Sequence, residues 1–270
     1  MKTLGKTSAK LIEGLYDKNK VIFSINDVVN ITGLNYFSAG RLISELKNRK
    51  IIASLKKGKH IIIPQELGNV NNYIGNWFIA AKNIVNSLNY YIAFYSAMDF
   101  WGMTIHPINK IFIATNKRQI SPINAKDRFK FVFISKKFIF GVTEKWIDKK
   151  EKVRISDLEK TILDALFHPE YCGGITEIAK GIFLVKDKID WKKILFYLKK
   201  YNKSIIVKRL GYISEILNIG DKKTLNDLKR IIGKQYDVFD PVLPKKNLAK
   251  NNWRLIDNVS PNQIRKIIKT

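Results

Sequence analysis

The chain is poor in the residue types from which small catalytic and metal centres are built. It has one cysteine and three histidines in 270 residues. A lone Cys172 excludes an internal disulfide and any cysteine-based zinc cluster. His60, His106 and His168 stand far apart, none with a second ligand at metal-binding spacing. There is no G-x-G-x-x-G fingerprint and no P-loop. No two aspartates stand two positions apart, as a nucleotidyltransferase metal site needs. No apolar run reaches the roughly eighteen residues of a membrane span, and the opening MKTLGKTSAKLIEGLYDK lacks the apolar core of a secretory signal. These absences predict a cytoplasmic protein with no cofactor, no metal and no catalytic residues, and so not an enzyme.

Acidic residues are also scarce. Lys and Arg number 49 against 23 Asp and Glu, a net charge of +26. Residues 1–64 carry 12 cations against 4 acids, residues 65–155 carry 14 against 6, and residues 156–270 carry 23 against 13. The N-terminal segment is therefore the most basic per residue. Such a field attracts polyanions and gives a salt-dependent, sequence-independent affinity for nucleic acid. In the last two thirds the same excess is also what an AT-rich coding sequence would produce. With 46% hydrophobic residues the chain can bury a sizeable core, and its length predicts two domains.

The stretch from Phe23 to Pro64 is the most informative. Ser24 and Asp27 form a capping-box pattern that starts a helix. Val28, Val29 and Ile31 supply its apolar face, and Gly33 suits the left-handed residue after its end. Asn35 can cap the next helix, running to about Arg49. There Ala39, Leu42, Ile43 and Leu46 recur at helical spacing as a buried stripe. Phe37, Arg41, Ser44 and Asn48 occupy the opposite face, with Tyr36 and Ser38 beside them. An aromatic ring centred away from the core suits the start of a recognition helix, where it can meet a thymine methyl. Upstream, Leu11, Ile12, Leu15 and Tyr16 mark a first helix. Downstream, IIASL and HIIIP read as strands joined at Gly58.

Three helices and a hairpin, in that order, predict a winged helix-turn-helix over residues 1–66. Asn35, Tyr36, Phe37, Ser38, Arg41, Ser44 and Asn48 would face the major groove, and Lys56, Lys57, Gly58, Lys59 and His60 would form a wing against phosphate. The same fold could also serve protein contacts, with a lysine turn that is merely soluble.

Residues 67–270 read as a larger mixed α/β domain, making the whole chain α+β. QELGNVNNYIGNW is a polar linker, and NSLNYYIAFYSAMDFWGM a helix whose aromatic stripe, Tyr91, Phe94, Tyr95, Met98 and Trp101, faces the core. KIFIAT, FKFVFIS and FIFGV are expected as strands of a small antiparallel sheet, with basic loops NKRQ and SKK. ISDLEKTILDALFHP opens on a second capping box, Ser156 with Glu159. Four helices follow near 174–186, 190–201, 204–218 and 223–233, then strand-like NWRLIDNV and a short helix begun by Ser260 and Pro261. Asp157, Glu159 and Asp164 are the densest acids on one helix. The first two suit its dipole rather than a metal. Cys172, followed by GG and close to His168, could form a nucleophile pair, but a cysteine in such a loop is more often an inert thiol.

The winged-helix segment, YYIAFYSAMDFWGMT, VRISDLEKTILDAL, KRLGYISEIL and, more loosely, FDPVLPKKNLAKNNWRLIDNV occur in the order found in the AbiEi family. The chain resembles these antitoxins of type IV abortive-infection toxin–antitoxin systems over nearly its whole length. The resemblance implies a DNA-binding repressor of its own operon. It further implies a C-terminal domain that counters a nucleotidyltransferase-like toxin, and double-stranded operator DNA as ligand. A repressor reading an inverted repeat would sit on that DNA as a homodimer. The alternative from a different class is an RNA- or protein-binding module whose basic C-terminal domain carries the activity.

Overall fold

The computed structural model describes residues 4–67, 73–85, 88–117, 127–149, 151–244 and 249–268. Helices and small sheets are mixed along the chain, an α+β arrangement. The residues group into two compact units, one of residues 1–88, 119–130 and 145–153, the other of residues 89–118, 131–144 and 154–270. Among the described residues no helix is long and apolar enough to cross a membrane.

The first unit begins with α1 (Lys6–Asp17), β1 (Ile22–Phe23), α2 (Ile25–Thr32), α3 (Tyr36–Asn48), β2 (Ile52–Lys56) and β3 (Lys59–Ile62). The capping box forms as its sequence predicts: Ser24 N–H donates to Asp27 Oδ2 at 2.7 Å. Gly33 then takes φ 76° at the helix end, the left-handed turn that glycine allows. Leu11, Leu15, Phe23, Val28, Ala39, Leu42, Ile43 and Leu46 pack together with Ile51, Ile52 and Ile62 as this unit's core. The strands lie in the order β1-β3-β2, all antiparallel, with Ile22 opposite Ile61 and Ile52 opposite Ile62. At two residues, β1 is too short to leave a periodic signal in the sequence. α4 (Trp77–Val85) follows; of the linker before it, residues 68–72 lie outside the described residues.

The second unit holds most of a five-stranded sheet: β4 (Tyr90–Ile92), β5 (Ile111–Thr115), β6 (Phe129–Phe133), β7 (Val142–Trp146) and β8 (Lys152–Ser156), in the order β6-β5-β4-β8-β7. Three expectations are corrected here. The long helix over residues 86–103 is instead β4 followed by α5 (Phe94–Phe100), because Tyr91 and Ile92 pair with Ala114 and Ile113; Asn86 and Ser87 lie outside the described residues. The sheet is mixed rather than antiparallel, since β4 runs parallel to β8 with Ile92 opposite Ile155. FIFGV is irregular up to Gly141, its rings turned onto Tyr197 and Tyr201, and the strand starts only at Val142.

Helices α6 (Leu158–Phe167), α7 (Ile175–Leu184), α8 (Trp191–Tyr201), α9 (Ser204–Leu217) and α10 (Lys222–Arg230) follow, close to the predicted spans. The chain ends with β9 (Asp237–Val238), β10 (Ala249–Lys250), β11 (Leu255–Asp257) and α11 (Pro261–Ile267), the last capped by Ser260. The cap of α6 is a fourth correction. Asp157, not Ser156, accepts the Lys160 N–H (2.9 Å), while Ser156 ends β8 with its hydroxyl on Thr161 Oγ1. Tyr91, Phe94 and Met98 are fully buried, and Tyr95 and Trp101 pack against the same core, as the stripe predicts.

Candidate nucleic-acid interface

α3 owes its direction to both ends of its apolar stripe. Asn35 Oδ1 accepts the Ser38 N–H at 2.9 Å and starts the helix. Ala39, Leu42, Ile43 and Leu46 then anchor one side in the core. With that side fixed, the 3.6-residue period turns the other to solvent. Phe37 is 73% and Tyr36 59% exposed, and Arg41, Ser44 and Asn48 are exposed too. Tyr36, Phe37, Gly40, Arg41, Ser44, Glu45 and Asn48 line one shallow, open concavity. The Arg41 guanidinium lies 5.3 Å from the Phe37 ring centroid, a cation–π contact that orients it without using up its five donors. Tyr36 Oη donates to Asn26 Oδ1 at 3.1 Å. Ser44 Oγ donates to the Gly40 carbonyl of its own helix, so its hydroxyl hydrogen is engaged while its lone pairs stay open.

The residue that the sequence reading missed on this face is Glu45. It pairs with Arg49 at 3.2 Å. The Arg41–Glu45–Arg49 spacing of four was the available signal. A carboxylate in the middle of the face repels phosphate and favours an exposed base amino group, such as that of cytosine.

The hairpin divides the five predicted wing residues. Lys57 and Gly58 form its exposed tip, Gly58 at φ 75°. Lys59 is half-buried. Lys56 and His60 are engaged elsewhere. Lys56 Nζ donates to the Ile84 carbonyl of α4 at 2.7 Å, and burial, with Lys59 nearby, holds its ammonium below the usual lysine range. His60 packs on the Phe23 ring, 5.8 Å between centroids, with Nδ1 buried and without a hydrogen-bond partner. Burial, and then Lys47, hold its imidazole below the ordinary value of 6.5. Lys56 lies opposite Lys59 and His60 opposite Ser54, so the two side chains leave the hairpin on different faces, one toward α4 and the other toward Phe23. The tip available to a phosphate is therefore Lys57, Gly58 and Lys59.

In the second unit the acids of α6 serve packing. Lys160 and Asp164 are buried one turn apart, with Nζ 2.5 Å from Oδ1. Lys160 also donates to Tyr91 Oη (2.9 Å) and Tyr201 Oη (2.5 Å), and both hydroxyls donate to Asp164. Burial lowers the Lys160 ammonium although Asp164 pulls the other way, and it raises both tyrosines well above 10. Asp157 and Glu159 are held by Lys193, at 3.1 and 2.8 Å. Every charge here has a partner. Cys172 is fully buried, and burial followed by Asp164 pushes its thiol well up, away from the reactive thiolate.

α9 carries the other dense motif. Arg209, buried, donates to the carbonyls of Leu166, Val238 and Phe239. Its guanidinium is lowered to about 10 by that burial. Lys208 Nζ reaches the Gln235 carbonyl and Asp237, both at 2.5 Å. A Cβ on Gly211 would stand 2.0 Å from the Trp253 ring, so only glycine admits that indole. KRLGYISEIL thus fastens the C-terminal segment to the unit's core.

A solvent-facing cationic and aromatic helix beside a lysine-tipped hairpin defines the first unit. Packing defines the motifs of the second. No family model matches the chain, and no curated protein does. Among solved structures, the chain is similar to the crystal structure of RV2827C protein from Mycobacterium tuberculosis. The TM-score is 0.74 at 12% identity, over 100% of this chain and 97% of that one, a likeness of fold.

Proposed function

We propose that the chain is a DNA-binding transcriptional repressor acting in the cytoplasm, in which residues 1–66 form a winged helix-turn-helix. The observation that carries this reading is the face of α3, with Phe37 and Arg41 held together in solvent on a helix whose other side is committed to the core. Asn35, Tyr36, Phe37, Ser38, Arg41, Ser44 and Asn48 would enter the major groove, and Lys57, Gly58 and Lys59 would lie against the flanking phosphates. A homodimer would place two such helices on an inverted repeat. The resemblance to the AbiEi family extends the reading: residues 67–270 would act as antitoxin against a nucleotidyltransferase-like toxin encoded beside it.

The test is a mobility-shift assay at physiological salt, comparing duplex from the chain's own upstream region with random duplex of equal length. Specific binders of this class favour their site by about a thousandfold or more. Equal retention of both duplexes would end the repressor reading. Co-expression with the neighbouring reading frame tests the antitoxin extension separately, the expected result being relief of growth arrest.

A further inference from the structure

The second unit has a basic surface of its own that the motifs leave unused. We infer that the 136–141 turn, α8 and the end of α6 form a binding surface for single-stranded nucleic acid. This inference stands apart from the duplex reading of α3.

Contacts tie the surface together. Lys200 Nζ lies 5.3 Å from the Phe140 ring and 4.7 Å from that of Phe196. Phe140 meets Tyr201 at 5.2 Å, and Phe138 stacks on the same tyrosine at 5.4 Å and 24°. Phe138 also touches Phe167 at 5.8 Å. Lys137 covers Phe138 at 5.2 Å and Lys203 covers Phe167 at 6.0 Å. Lys136, Lys137, Lys199, Lys200 and Lys203 are all exposed. Among the described residues none of the five has a carboxylate within ion-pair distance. The acids at the start of α6 and within it are already occupied: Asp157 and Glu159 by Lys193, Asp164 by Lys160.

Lys199 and Lys200 suit the negative end of α8 by themselves. Lys137 and Lys203 come from other segments, and the rings they cover, Phe138 and Phe167, meet Tyr201 as Phe140 under Lys200 does, which a solvated helix end does not require. Unpaired cations call for a polyanion. Phe196, 54% exposed, and the half-buried rings beside it offer nothing to duplex phosphates, but they match unstacked bases, which pile on aromatic faces while lysines follow the backbone. An acidic protein would satisfy the charge alone.

The test uses the full chain with Arg41→Ala and Lys57→Ala, so that the face proposed for duplex DNA is weakened. Its affinity is read by fluorescence anisotropy for a labelled 20-nucleotide mixed-sequence RNA, the same sequence as single-stranded DNA, its duplex, and poly-glutamate of equal charge. Single strands are expected to bind about tenfold tighter than duplex or poly-glutamate, with the RNA and DNA arms showing whether the 2′-hydroxyl contributes. Adding Lys199→Ala with Lys200→Ala should weaken single strands and lower the salt slope by about 1.4. Adding Phe196→Ala should weaken them about fivefold or more at unchanged slope. Poly-glutamate or duplex bound as tightly as single strands, or a Phe196→Ala variant with full affinity, would overturn the inference.

Discussion

Helix α3 turns Tyr36, Phe37, Arg41, Ser44 and Asn48 to solvent, whereas α6 takes Glu159, Lys160, Thr161 and Asp164 out of it. Both helices are amphipathic by sequence and both are capped by an Asx side chain. They differ in what surrounds the polar side. Around α6, Tyr91, Phe140 and Tyr201 enclose the ammonium, 4.8–5.0 Å from each ring, and two tyrosine hydroxyls complete its hydrogen bonds. Phe37 and Arg41 instead face solvent, the guanidinium lying over the ring. A charge satisfied internally fixes packing and is closed to a ligand. One left facing water keeps its hydrogen-bonding capacity for a partner. By that criterion the densest motif of the sequence, VRISDLEKTILDAL, is a fastener, and the modest stretch around Phe37 is the candidate site.

The strongest way to break this comparison is to treat α6 as a site and remove its acid. Asp164→Ala leaves the Lys160 ammonium buried with only two hydroxyls, and breaking a buried ion pair in this way costs about 3–5 kcal/mol. The loss should shrink as pH rises, because an ammonium already lowered by burial then sheds its proton. Replacing the whole cluster, Lys160→Met and Asp164→Leu with Tyr91→Phe and Tyr201→Phe so that no buried hydroxyl is stranded, should recover much of the stability, since well-packed apolar groups often match a buried ion pair. Urea unfolding measures all three. A folded, stable Asp164→Ala variant that had lost nucleic-acid binding would reverse the assignment of roles.

How much of this contrast the sequence discloses depends on the range of the forces involved. Local ones are readable. The Ser24 capping box, the Gly33 stop, the Asn35 cap and the stripe of Ala39, Leu42, Ile43 and Leu46 lie within a few residues of their partners, and each takes its expected place. Non-local ones are hidden. Tyr90–Ile92 becomes a strand because β5 and β8 flank it, and FIFGV loses its strand because Tyr197 and Tyr201, some sixty residues on, hold its rings. The same applies within the candidate site. The face of α3 follows from helical period alone, but nothing local tells that Lys56 is drawn to the Ile84 carbonyl or His60 to Phe23. Four of the five proposed wing residues are cations or potential cations of similar appearance, and tertiary packing divides them.

A smaller effect sharpens the solvent-facing half. Arg41→Ala should weaken the preferred duplex by about 1–3 kcal/mol and relax preference for one base position, while stability stays within about 0.5 kcal/mol because the side chain is exposed. Lys57→Ala should weaken every duplex alike and lower the salt slope by about 1. Titrations of specific and random duplex at several salt concentrations separate the two. Identical behaviour of the variants would mean that α3 adds charge without reading bases.

The smallest expected effect tests His60, the proposed wing residue that packs on Phe23. His60 is held below 6.5 by burial and by Lys47, so the folded state disfavours its charged form relative to the unfolded chain. The sign follows from proton linkage. Above pH 6.5 the imidazole is neutral in both states and its contribution is fully present. As pH falls from there through the folded value the unfolded chain takes up the proton first, and that stability is lost. The groups facing it are the Phe23 ring, which cannot titrate, and Lys47. Urea midpoints at pH 7.5, 6.5 and 5.5 should therefore decline more steeply for the wild-type chain than for His60→Gln, while duplex affinity at pH 7.5 is the same for both. An affinity loss in the variant at pH 7.5 would return His60 to the phosphate-binding tip and move the boundary between packed and solvent-facing chemistry one residue along β3.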